Sequence, residues 1–136
     1  MKTTLDLVDL VYEVLKTSSL KSSITGKVYE YQRPVNSNVE DVVINSLPIT
    51  NDQLQEAIVN VNVFVPNLEV EETGDISRQV PNITRLKTLA GLAVQNLTDG
   101  ISGDYTWDVQ QQTVIEDDES KQHFINIRIQ FFVSNI

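Results

Sequence analysis

Residues 57–65 read AIVNVNVFV. Val59, Val61, Val63 and Val65 recur at every second position, with Asn60, Asn62 and Phe64 between them. A strand turns successive side chains to opposite faces, so this stretch offers its valines to a core and its asparagines to a wetter side. It is predicted to be a strand with one buried face. The same alternation returns in Ile125, Ile127, Ile129, Phe131 and Val133, and more briefly in Tyr105, Trp107 and Val109. These two runs are expected to pair as a hairpin across the charged connection EDDES, residues 116–120, which suits a solvated turn.

Outward from this sheet the periodicity changes. Over residues 4–16, Leu5, Val8, Val11, Tyr12 and Leu15 follow steps of three and four, one face of an amphipathic helix. Thr3 and Asp6 have the spacing of a capping box, and Lys16 suits the negative end of the helix dipole. Residues 18–25 read as loop. A short strand is predicted at residues 28–31. It must end by Arg33, because Pro34 donates no ladder hydrogen bond and pushes its predecessor towards extended geometry. Residues 35–38 read as a turn. The run Val42, Val43 and Ile44 within residues 39–47 is β-branched and too short for a confident helix, so it is read as a strand, closed by Pro48.

Residues 66–81, PNLEVEETGDISRQVP, read as a long acidic loop that orders only against a neighbour, because it lacks apolar periodicity to offset the entropy of ordering. Over residues 82–98, opened by Asn82 as a candidate cap and stopped by Gly100, Ile83, Leu86, Ala90, Ala93, Val94 and Leu97 restore helical spacing. The expected fold is one α+β domain over residues 1–136. Its order is α-β-β-β-α-β-β, with two helices on one face of a mostly antiparallel sheet.

The chain's 136 residues are 40% hydrophobic and 21% charged, values of a folded chain and not of a disordered one. A formal charge of -9 argues against general nucleic-acid binding. The absence of cysteine removes thiolate catalysis and sulfur-rich zinc sites, and fits a reducing compartment. The acids among the apolar residues of the first helix break any signal-peptide core, and no run approaches membrane-spanning length. A soluble protein made in the cytoplasm is expected.

Chemistry finds little footing. His123 is the one histidine, and no G-x-S-x-G elbow exists to supply it with a nucleophile. Glu69, Glu71 and Glu72, and the acids of residues 116–119, lack the pattern of a calcium loop and read as solvated charge. The Asn82 and Asn96 glycosylation patterns lie in a predicted helix and are chance matches. Residues 100–103 read as helix stop and turn. Trp107 reads as core, whereas Tyr29 and Tyr31 carry the ring and polar atom suited to an interface. No catalytic residue, metal site or cofactor is assigned.

The helix LDLVDLVYEVLK, the segment GKVYEY, Pro34, the run VEDVVINSL, the strand IVNVNVFVPN, a loop, the helix ITRLKTLAGLAVQNL and a C-terminal hairpin follow one another in this order. This arrangement resembles the tail-completion and tail-terminator proteins of long-tailed bacteriophages and prophages, which sit at the head-to-tail junction. The resemblance covers nearly the whole chain and rests on order and spacing. It implies a non-enzymatic virion protein made in the host bacterial cytoplasm and forming a homo-oligomeric ring, typically of six subunits, on the end of the tail. The implied partners are the tail-tube protein and the head–tail connector. The 66–81 loop is longer than the simplest members of that family lead one to expect.

On that reading Tyr29, Tyr31 and Arg33 are the first candidates for the subunit interface, joined by Glu69, Glu71 and Arg78 from the 66–81 loop. An alternative is a small ligand-binding α+β domain of a bacterial cytoplasmic protein, with Tyr105, Trp107 and His123 lining a cavity. A third is a metal-dependent hydrolase or nuclease using the acidic clusters, which requires those carboxylates to converge in one cleft.

Overall fold

The valine stretch lies within β3 (Leu54–Pro66), an inner strand of a six-stranded sheet. The computed structural model describes residues 3–49, 54–71, 74, 77–98, 100–102 and 105–134. Along the chain come α1 (Thr4–Leu15), α2 (Ser19–Ser23), β1 (Val28–Glu30), β2 (Val42–Ser46), β3, β4 (Leu68–Glu71) and β5 (Ser77–Val80). They are followed by α3 (Ile83–Leu97), β6 (Gly100–Ser102), β7 (Tyr105–Asp117) and β8 (Gln122–Ser134). The main sheet runs β1-β2-β3-β8-β7-β6, antiparallel at every step except β1 with β2. The α+β class and the antiparallel bias follow the expectation from sequence.

Register explains the core. Val59, Val61 and Val63 of β3 stand opposite Ile129, Ile127 and Ile125 of β8, so both alternating runs share one face. Leu7, Val8, Val11 and Leu15 of α1 and Leu86, Leu89, Ala93 and Leu97 of α3 bury that face. Each such side chain withdrawn from water contributes about 1.5–3 kcal/mol before entropy is counted. The Thr3–Asp6 capping box is formed: Thr3 Oγ1 accepts from Asp6 N–H at 3.2 Å, and Asp6 accepts from Thr3 N–H at 2.7 Å. At the other helix, Asn82 accepts from Arg85 N–H. Trp107 is core: it stacks on Phe131 and donates to the Leu97 carbonyl, satisfying a group that the helix end leaves open.

Three sequence expectations are revised. Residues 18–25 contain the one-turn helix α2, capped by Ser18 and pinned by buried Leu20; one apolar side chain in so short a stretch carries no periodicity. Residues 66–81 contain the β4–β5 hairpin, whose four-residue strands are too short to show their alternation against the acids. Gly100, read as helix stop and turn, opens β6, which pairs with Tyr105–Trp107; the helix itself ends at Leu97 with Thr98 as its cap, as expected. Glu72, Asp99, Gly103 and Asp104 lie outside the described residues.

The parallel pairing of β1 and β2 has a steric consequence. Two parallel neighbours start at the same end, so the connecting chain must return over a face of the sheet. Helices occupy one face, and residues 31–41 return over the other. Tyr31 (φ 65°) and Asn36 (φ 62°) make the reversals in the left-handed region. Gly26, just before β1, meets the end of this return: its N–H donates to the Glu40 carbonyl at 2.9 Å, and a Cβ there would stand 2.0 Å from Asp41 Oδ1. Only glycine fits.

Candidate interaction surfaces

The helix-free face begins with the asparagines of β3. Asn60 donates to Asn45 of β2 at 3.1 Å, while Asn126 of β8 donates to Asn60 at 3.2 Å and to Asn62 at 2.7 Å. This network ties three strands through neutral groups. At one end the returning segment covers the face. There Phe64 and Phe124 pack at 4.8 Å, and the Arg33 guanidinium lies 3.7 Å over the Phe64 ring. Arg33 also donates to Gln122 at 2.7 Å and stands 3.6 Å from Asp41, leaving its side chain only 13% exposed. Burial pulls the guanidinium's affinity for its proton below the usual arginine range, opposed by Asp41 and Asp117. Expected as an interface contact, Arg33 is spent inside its own subunit.

The other candidates lie further out. Tyr29 is half-buried on the edge strand β1, and Tyr31 is exposed, its hydroxyl 3.3 Å from Ser46 Oγ. Glu69, Glu71 and Arg78 all lie on the β4–β5 hairpin, where Glu69 faces Gln79, Val70 faces Arg78 and Glu71 faces Ser77. Beside β1, Asp9 and Glu13 of α1 crowd Glu30. Its carboxyl is pushed up to about 7 by a hydrogen bond with Asp9, then by burial and by the charges of both acids.

The residues proposed for a ligand cavity do not share one. Trp107 sits opposite Phe131, whereas His123 lies at the far end of β8, beside Asn67 at 2.6 Å. Eight residues of strand separate Phe131 from His123, roughly 26 Å at 3.3 Å per residue. Among the described residues, no three histidine, aspartate or glutamate side chains are grouped to hold a metal ion. None of the helices of the described residues is long and apolar enough to cross a membrane.

No family model matches the chain, and no curated protein matches it.

The surface that sequence reading missed flanks β7. Its inner neighbour β8 is paired along its length, but on the outer side β6 covers only Tyr105–Trp107 among the described residues. From Asp108 to Asp117 the outer backbone groups have no strand partner among the described residues. A bulge after Val109 interrupts the edge, and the uncharged stretch QQQTVI, residues 110–115, follows it. Edges are usually protected by charge, proline or cover. Here Val114 is 55% exposed, and Ile83 at the start of α3 is 62% exposed. Between them runs an open groove of about 370 Å³, floored by Leu86, Ala90 and Ile125 and edged by Lys87. The signal was present in sequence as an uncharged run within a predicted strand. That β7 lies near the sheet's rim, however, follows only from strand order.

Proposed function

We propose that this chain is a non-enzymatic structural protein of a phage or prophage virion, forming a ring at the tail end that completes the tail and joins it to the head. The observation that carries the reading is the edge of β7, unpaired among the described residues and uncharged over residues 110–115, beside an apolar groove. Such a surface favours repeated subunit contact. The order of elements resembles the tail-completion and tail-terminator proteins, and an acidic chain suits a passage through which DNA moves without being gripped. The partners on this reading are further copies of the chain, the tail-tube protein and the head–tail connector. Tyr29 and Tyr31, at the opposite sheet edge, are contact candidates still facing outward.

Electron microscopy of the protein mixed with its own tail tubes tests the assignment. Rings at the tube ends are expected; protein that never localises there excludes this role. Small-ligand binding is the second reading, because the α3–β7 groove falls within the volume range of ligand sites. Native mass spectrometry of a monomer carrying a stoichiometric small molecule selects it instead.

A further inference from the structure

We draw no further inference here: the strongest candidate, the apolar groove between α3 and the β7 edge, lined by Ile83, Leu86, Ala90, Val114 and Ile125, belongs to the surface on which the proposed function already rests, and nothing in the structure shows what covers it.

Discussion

The guanidinium of Arg33 lies 3.7 Å above the ring of Phe64, with Gln122 accepting one of its hydrogen bonds. Arg33 therefore fastens the β1–β2 return to the sheet. Among the described residues, buried Nη1 has no hydrogen-bond partner, and the carboxylate of Asp41 lies within ion-pair range, at 3.6 Å. Arg33→Ala removes a desolvated cation–π contact and strands buried Gln122, and is expected to cost about 3 kcal/mol. Urea denaturation measures it. A loss within error of zero would mean that the return is held without this side chain. Assembly defects of Arg33 variants must accordingly be separated from loss of folding.

A second long-range fastening joins Arg85 of α3 to Glu40, just before β2. The fork is two-pronged, with Nε at 2.6 Å and Nη2 at 2.9 Å, and Nη2 also donates to the Ser23 carbonyl. Glu40 is buried and also accepts from Thr25 N–H. Removing one partner of such a pair costs more than replacing both, because the survivor keeps its desolvation penalty. Arg85→Met is expected to lose about 3 kcal/mol, and the double variant with Glu40→Gln about 1.5 kcal/mol less than the sum of the singles. Additive losses in a double-mutant cycle contradict direct coupling.

Glu30 gives the fold a pH dependence of unusual sign for a carboxylate. Its folded value of about 7 lies above the ordinary 4.5, so the folded state binds the proton more tightly than the unfolded state. The contribution is fully present below pH 4.5 and is lost as pH rises through about 7. At this partly solvated edge the loss is about 1 kcal/mol after screening. Asp9→Asn removes the neighbouring charge and is expected to return Glu30 towards its ordinary range and flatten the slope. NMR titration of the side-chain carboxyl carbons checks it; an unmoved Glu30 midpoint assigns the shift to burial.

How much of the site was legible follows from the range of the forces involved. Tyr29, Tyr31, Glu69, Glu71 and Arg78 are on the outer surface or an edge, as their polarity and the turn residues around them suggest. Arg33 has the same local appearance and a different fate, because its burial depends on which face the β1–β2 return crosses. The Gln110–Ile115 run looked like any strand interior. Its exposure is set by β6 stopping after three residues of pairing.

The sequence by itself determined the elements whose energetics are local: α1 with its Thr3–Asp6 box, α3 from its Asn82 cap, and the buried faces of β3 and β8, each written in the period of its own apolar residues. Only the tertiary structure decided that β1 runs parallel to β2, that Arg85 reaches Glu40 across 45 residues, and that β7 has, among the described residues, a bare edge beside α3. Those outcomes depend on which distant segments pay the entropy of meeting, and no local pattern records that choice.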